Sequence, residues 1–127
     1  MDKVLAKAVK TNLAALKASS KNFEDVFEIM FSAPEKILAE ENDGFRIKKH
    51  TFGEVKAQIL HVSNVLGGLG FADQWIGLEM ENSVNWIIAF WSILKSGNKP
   101  FLVNTRHSLS LSNSLIKALD IKTVIAE

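Results

Sequence analysis

The chain has 127 residues, of which 47% are hydrophobic and 23% are charged, and its 15 Lys and Arg against 14 Asp and Glu give a formal net charge of +1. This length fits one domain with a packed core, and the apolar content with so small a net charge excludes a disordered tail. The charge balance also lacks the basic footprint of a nucleic-acid-binding domain, and the absence of cysteine excludes disulfides, zinc-thiolate sites and cysteine nucleophiles.

The positions of the histidines and the length of the apolar runs argue against a metal site and a membrane-spanning helix. The three histidines, His50, His61 and His107, are scattered along the chain and leave little material for a metal site. The longest near-apolar run, residues 86–94, is well short of the roughly 20 residues of a membrane-spanning helix. We therefore expect a soluble, cytoplasmic domain with no transmembrane segment and no nucleic-acid partner.

Residues 1–21 are predicted to form a basic lead-in helix. Every charged residue in segment 3–21 is a lysine. Four large apolar residues recur there at helical spacing: Leu5, Val9, Leu13 and Leu16. Such a helix is typical of organelle-targeting or membrane-surface segments. The alternative is a solvated helix whose apolar stripe rests on the domain. Lysines in place of arginines, the acidic Asp2 and the lack of a signal-peptide core favour this alternative.

A second helix is predicted to begin after Asn22, a candidate N-cap. Five large apolar residues follow at the spacing of one helix face: Phe23, Val26, Phe27, Met30 and Phe31. This stripe indicates core packing and no cofactor site. Pro34 is expected to end the helix, because proline has no backbone N–H and restricts the preceding residue.

A β-hairpin is predicted around Asp43-Gly44, since both residues tolerate the positive φ of a tight turn. Its first strand corresponds to residues 36–40. The second run, from Phe45 to Lys48, alternates apolar and charged residues, which predicts a strand that buries one face.

Thr51 and Glu54 form a candidate capping box at the start of the next helix. The predicted core stripe of this helix is Val55, Ile59, Val62, Leu66 and Leu69. Gly70 follows where a helix end favours a left-handed residue. His61 is off the stripe, so we expect it at a solvated edge and not in a site.

The last third alternates strands with helices. Strands are predicted over residues 75–79, 100–104 and 122–126, and a helix capped by Asn82 or Ser83 runs to about Ser96. Ser108 is the candidate cap of a further helix, whose apolar face would comprise Leu111, Leu115, Ala118 and Leu119. The alternation of Ser110, Ser112 and Ser114 with leucines also fits a strand, but the leucine spacing favours the helix.

The element order predicts an α/β fold: a β-hairpin plus a βαβαβ parallel-sheet unit with flanking helices and two right-handed crossovers. Such a unit is also typical of dinucleotide-binding proteins, whose first turn carries glycines that approach a pyrophosphate. Here the turn at 80–83 has no glycine, and Glu81 would repel a phosphate. The glycines at 67–70 precede the strand, and we interpret them as close packing plus a helix C-cap. A small nucleotide-binding protein is therefore disfavoured.

No other pattern identifies a catalytic site. Glu79 and Glu81 alternate at a strand end and are typical of a solvated rim. Arg106 and His107 follow the carboxyl end of a parallel strand, where open α/β sheets bind ligands, although a basic loop before a helix is usually only solvated. We assign no catalytic, cofactor-binding or metal-binding residue within this chain.

The order of motifs from residue 51 resembles the N-terminal part of the AMP-forming adenylate synthetases, which include acyl-CoA synthetases, luciferases and peptide-synthetase adenylation domains. The motifs are Thr51-Phe-Gly-Glu54, Gly67-Gly-Leu-Gly70, Trp75-Ile-Gly-Leu78, Glu81-Asn-Ser83, Leu94-Lys-Ser-Gly97 and Pro100-Phe-Leu-Val-Asn104. The resemblance begins at about residue 22. Thr105 stands where the family usually has a proline, which indicates a looser turn.

The resemblance implies that residues 22–127 are a partial N-terminal α/β subdomain of an ATP-dependent, AMP-forming ligase for a fatty or other acyl carboxylate. The family converts a carboxylate and ATP into an acyl-adenylate and pyrophosphate, and a thiol such as coenzyme A then displaces AMP. ATP, Mg²⁺ and coenzyme A are thus implied for the full-length protein, with a role in fatty acid metabolism. The family's phosphate loop, acidic magnesium motif, ribose-binding aspartate and catalytic lysine have no counterpart in this chain, so we expect it to be inactive alone.

Two classes of function stay open at this point. The first is an N-terminal fragment whose partner is the remainder of the adenylation domain, or a second copy bound through the Ser83–Ser96 helix, which is apolar most of the way round. The second is a free-standing, non-catalytic α/β binding or interaction module. The acid and the acceptor thiol are not specified by these residues.

Overall fold

The computed structural model describes residues 3–18, 22–103 and 109–126. The helices are α1 (Lys3–Ala18), α2 (Phe23–Met30), α3 (Phe52–Gly68), α4 (Val84–Lys95) and α5 (Leu109–Ala118). The strands are β1 (Ile37–Asn42), β2 (Ile47–Thr51), β3 (Trp75–Glu79), β4 (Lys99–Leu102) and β5 (Thr123–Ala126). The predicted α/β class is confirmed, and residues 109–118 are helical, as the leucine spacing favours.

The strands form two separate sheets. Strands β1 and β2 pair in an antiparallel hairpin, while β3, β4 and β5 form a parallel sheet in the order β4-β3-β5. Strand β3, the first strand of the βαβαβ unit, is therefore the central strand of the parallel sheet. The chain moves from β3 to one neighbour and then back across to the other, so crossovers of the usual right hand would place α4 and α5 on opposite faces.

Three helices begin with the side-chain caps that the sequence predicts. Each cap accepts a backbone N–H from three residues on: Asn22 from Asp25 at 2.9 Å, Thr51 from Glu54 at 3.1 Å, and Ser83 from Trp86 at 3.2 Å. These bonds satisfy donors that a helix cannot satisfy internally. Ser83, not Asn82, caps α4. The predicted cap Ser108 lies outside the described residues.

Helices α3, α4 and α5 end with the same hydrogen-bonding motif. A residue with positive φ follows the C-cap in each: Gly70 (φ 85°), Gly97 (φ 82°) and Asp120 (φ 54°). In α3 the N–H of Phe71 then donates to the carbonyl of Leu66 at 3.3 Å, as in a Schellman motif. The glycine ends were predicted, whereas Asp120 occupies a position where sequence reasoning expects glycine.

The core has two parts that meet on α4. The first lies between α2, α3 and α4, and its buried residues are Phe27, Phe31, Val55, Ile59, Val84 and Trp91. The second joins α3 and α4 to the sheet through Leu66, Ile76, Leu78, Ala89 and Ile93. Lys95 of α4 also contacts α2: its Nζ lies 3.0 Å from the Glu24 carboxylate and 4.7 Å from the centre of the Phe27 ring.

The two-part core overturns one expectation about assembly. The Ser83–Ser96 helix was expected to leave an apolar side uncovered for self-association. Instead, α2 and α3 cover one side of α4 and the sheet covers the other, and Asn85 is its one exposed residue. The α4 surface therefore offers no apolar face to a second copy.

The second strand of the hairpin differs from its prediction. Strand β2 begins at Ile47, which is exposed, and Phe45 is 97% exposed in the turn. The cause is the Asp43 carboxylate, which accepts the N–H groups of Phe45 and Arg46, each at 2.9 Å. This bonding holds Phe45 inside the turn, so the expected one-sided burial is wrong.

Three further boundaries and faces need correction. Helix α2 ends at Met30, four residues before Pro34, so the proline does not end it. The carbonyl of Pro34 accepts the N–H of Gly53 at 3.0 Å. The predicted apolar face of α5 lies in solvent, as does the α3 cap Leu69; the exposed members on α5 are Leu111, Leu115, Ala118 and Leu119. Apart from the helix's own backbone and the chain neighbours, no atom of the described residues lies within 4 Å of a Cβ built at Gly67 or Gly68, so the interpretation of close packing there is wrong.

Candidate functional site

The carboxyl edge of the parallel sheet is the first place to look for a site, because open α/β sheets bind ligands there. Strand β3 ends at the half-buried Glu79, and the exposed Glu81 lies in the turn that leads to α4. This turn presents carboxylates where a phosphate-binding fold presents bare backbone. Arg106 and His107, the basic candidates at the neighbouring strand end, lie outside the described residues.

The N-terminus of α4 is engaged by the chain's own acceptors. Ser83 Oγ accepts the N–H of Trp86, and Glu41 Oε2 lies 3.5 Å from the N of Val84 as a long hydrogen bond. Glu41 belongs to β1, so the hairpin supplies a carboxylate to a helix that follows much later in the chain. A carboxylate at a helix N-terminus is favourable because the helix dipole is positive there. Two of the backbone N–H groups that a phosphate could bind at the N-terminus of α4 are thus already bonded to Ser83 and Glu41.

Glu41 also contacts His50 on the same face of the hairpin. The distance from His50 Nε2 to Glu41 Oε1 is 2.8 Å, and the histidine side chain is 14% exposed. The two atoms are at hydrogen-bonding distance, yet Nε2 makes no hydrogen bond of acceptable geometry among the described residues. Sequence reasoning treated His50 as isolated, because its pairing with Glu41 depends on the register of the hairpin.

A cavity of about 410 Å³ lies beside this contact, between the hairpin, α3 and α4. Its lining residues are Lys48, His50, Glu54, Val55, Gln58, Asn85 and Ile88. The lining mixes one lysine, one carboxylate and two amides, so it presents no uniform charge to an anion or a cation. It contains no serine, threonine or cysteine that His50 could activate as a nucleophile. The cavity is best described as the polar junction through which the hairpin meets the helices.

The resemblance implies Mg²⁺, which takes carboxylate ligands, and phosphates, which need positively charged or N–H donors. Within residues 3–18, 22–103 and 109–126, no group of three or more His, Asp or Glu residues could hold a metal ion. Glu79 and Glu81 place carboxylates near this edge of the sheet, and a carboxylate does not stabilise the negative charge of a phosphate. His61 is exposed on α3, as predicted. No helix of the described part is long and apolar enough to span a bilayer.

Solved structures with the same fold are adenylate-forming enzymes. The N-terminal subdomain of Klebsiella oxytoca NpsA, in complex with 3-hydroxyanthranilyl-AMSN, matches 80% of this chain with a TM-score of 0.69 and 18% identity. The inhibitor-bound N-terminal domain of FACL13 from Mycobacterium tuberculosis matches 62% with a TM-score of 0.58 and 26% identity. An artificially fused adenylation–PCP di-domain, NpsA-ThdA from Klebsiella oxytoca, matches 80% with a TM-score of 0.69 and 18% identity. No family model and no curated protein matches the sequence.

The chain therefore has the fold found in the N-terminal part of AMP-forming synthetases, which confirms the resemblance drawn from the motif order. It spans only a minor part of these structures: 26% of the NpsA subdomain, 20% of the FACL13 domain and 19% of the fused di-domain.

Proposed function

We propose that this chain is the N-terminal structural part of an AMP-forming ligase that activates a carboxylate with ATP and transfers the acyl group to a thiol. The observation that carries the proposal is the fold match to the NpsA subdomain, which includes 80% of this chain with a TM-score of 0.69. The motif order from Thr51 to residue 104 supports it independently.

The part that this chain plays in such an enzyme is that of a scaffold. Helix α4 is covered on both sides, the hairpin is held to its N-terminus by Glu41, and β3 is paired on both edges. These contacts fix the carboxyl edge of the sheet as a rigid platform. ATP, Mg²⁺ and coenzyme A would bind to residues supplied by the remainder of the adenylation domain, which is the proposed partner, since the described residues here do not fit them.

The proposed substrate is a fatty or other acyl carboxylate, and the proposed compartment is the cytoplasm. This chain is 26% identical to a structure described as a Mycobacterium tuberculosis fatty acyl CoA synthetase, and 18% identical to the NpsA subdomain in complex with 3-hydroxyanthranilyl-AMSN. The fatty acyl substrate and the role in fatty acid metabolism are proposed on this difference in identity alone, since the NpsA subdomain covers more of the chain and has the higher TM-score.

Carboxylate-dependent exchange of pyrophosphate into ATP tests the scaffold role. The purified 127-residue chain is expected to show no exchange with fatty or aromatic acids, with or without coenzyme A. It is also expected to show no saturable ATP binding by calorimetry at micromolar concentration. Exchange that disappears in Arg106→Ala would contradict the proposal, because it would place a complete site at the end of β4.

A further inference from the structure

Helix α1 exposes an amphipathic surface that the described part of the chain does not cover. The element that α1 contacts most is α2. Val9 and Leu13, from the predicted apolar stripe, are nevertheless 40% and 50% exposed. The expectation that this stripe rests on the domain is therefore not met at these two residues.

Lysines border this exposed apolar surface. Lys7, Lys10 and Lys17 are all exposed, and α1 contains no acidic residue. At 3.6 residues per turn, Lys10 and Lys17 lie within about 60° of Leu13 around the helix axis. Val9, Lys10, Leu13 and Lys17 thus form one continuous surface, the α1 surface. Lys7 lies about 60° beyond Lys10, on the side away from Val9.

The positive charge of the protein is concentrated on this helix. The whole chain has a net charge of +1, yet α1 alone carries four lysines. Helix α1 contains no acidic residue of its own, and two acids of the neighbouring α2 pair elsewhere: Glu24 with Lys95, and Glu28 with Lys56. The α1 surface therefore remains a local cationic surface.

We propose that α1 binds an anionic membrane surface and lies in the plane of the interface. Val9 and Leu13 enter the boundary between headgroups and acyl chains, while the lysines contact lipid phosphates and carboxylates. A lysine close to such a surface raises the affinity about fivefold. This mode of binding is independent of the ligase proposal, because it needs no residue of the sheet or hairpin.

The apolar residues favour a membrane over a nucleic acid. A phosphate backbone would attract the lysines equally, but it would leave Val9 and Leu13 in water, so their removal would not weaken that complex. A bilayer buries these side chains and gains from each of them. The effect of Leu13 on binding therefore distinguishes the two partners.

Vesicle flotation with the full chain tests the proposal. Binding is expected with vesicles of phosphatidylcholine plus phosphatidylserine, to weaken at high salt, and to be lost with phosphatidylcholine alone. The variant K7Q/K10Q/K17Q should bind about 100-fold more weakly, from three fivefold losses, and Leu13→Asn should also weaken binding. Circular dichroism checks that each variant keeps its helix content.

The matched control is K36Q/K49Q/K122Q, which removes the same charge from three exposed lysines outside α1. It is expected to keep most of the vesicle binding. Equal loss in this control, or equal binding to neutral vesicles, would overturn the proposal. Binding of a homopolymeric RNA that depends on the lysines but is unchanged in Leu13→Asn would also overturn the proposal, since that result would assign the α1 surface to nucleic acid.

Discussion

Gly77 and Val124 are paired across the β3–β5 ladder with no room for a side chain on the glycine. A Cβ built at residue 77 would lie 3.0 Å from Cγ2 of Val124. The valine side chain thus lies directly over the central strand. Strand β5 can pair closely with β3 because the residue opposite Val124 has no side chain.

Alanine at residue 77 is expected to destabilise the fold. The added methyl group overpacks the contact with Val124, and the cost should be about 1–3 kcal/mol in the free energy of unfolding, measured by urea denaturation. In the background of Val124→Ala the same substitution should cost about 1 kcal/mol less, because the opposing methyl groups are gone.

The matched control for Gly77→Ala is Gly68→Ala. Gly68 is the last residue of α3, and within the described residues only its chain neighbours and its own helix backbone could lie within 4 Å of a Cβ placed there. Alanine is the better helix former, so this variant should be unchanged or more stable by up to about 1 kcal/mol. Equal effects of the two substitutions would show that Val124 does not restrict residue 77.

Asn98 links the end of α4 to the loop before β3. This side chain is buried; its Oδ1 accepts the N–H of Gln74 at 3.0 Å, and its Nδ2 donates to the carbonyl of Phe71 at 3.3 Å. Asn98→Ala should cost about 1–3 kcal/mol, because the Gln74 N–H and the Phe71 carbonyl lose their partner at a partly buried position.

Asn98→Asp sharpens this test, since it keeps an acceptor for Gln74 but places a carboxylate against the carbonyl of Phe71. It should be at least as destabilising as Asn98→Ala at neutral pH and should recover stability as the pH is lowered. The control Asn64→Ala changes an exposed residue of α3 and should stay within about 0.5 kcal/mol of the parent. A neutral Asn98→Ala would refute the linking role.

The hairpin turn should depend on acid pH. The backbone N–H of Arg46, followed by that of Phe45, holds the pKa of the Asp43 carboxyl below its ordinary value of 3.8. Because the folded-state pKa is the lower one, the stabilisation is complete above the unfolded-state pKa and is lost as the pH falls through the folded-state pKa.

An NMR titration of the Asp43 carboxyl carbon measures this effect directly, with the amide shifts of Phe45 and Arg46 as reporters. Asp43→Asn keeps an acceptor and removes the titrating group, so its turn should not respond to pH in the same window. A midpoint at or above 3.8 would exclude the turn bonds as the cause of the shift.

Thr51 is expected to stabilise the start of α3. Its hydroxyl accepts the N–H of Glu54 at 3.1 Å, and N-cap losses typically cost about 1 kcal/mol. Thr51→Ala should therefore lower the melting temperature. Thr11→Ala, within the exposed helix α1, is the control and should have little effect. An unchanged melting temperature in Thr51→Ala would show that the cap contributes nothing.

The parts of the fold that could be predicted depend on local signals. Asn22, Thr51 and Ser83 each satisfy backbone groups three residues away, so their roles are visible in a short stretch of sequence. The order of strands and helices follows from the same short-range patterns. The position of Phe45 was mispredicted because two bonds from Asp43 outweigh the alternation of apolar and charged residues.

The parts that could not be predicted depend on contacts between distant segments. The cover of α4 comes from Phe27 and Phe31, whose contact with Trp91 no local pattern indicates. The contact of Glu41 with His50 likewise depends on the hairpin register, which contains an irregularity between Ile37 and Ala39. The candidate site could therefore be tested for known motifs in the sequence, but its filled helix N-terminus could be seen only in the fold.

The most direct test of the account uses the native polypeptide that carries this chain. Antibodies against residues 22–103 would isolate it from its source, and the purified material would be assayed for carboxylate-dependent exchange of pyrophosphate into ATP. The account predicts exchange by a polypeptide longer than 127 residues, or by a complex of this chain with a second polypeptide. Native material of 127 residues that shows no partner and no exchange would contradict the claim that the chain is part of an AMP-forming ligase.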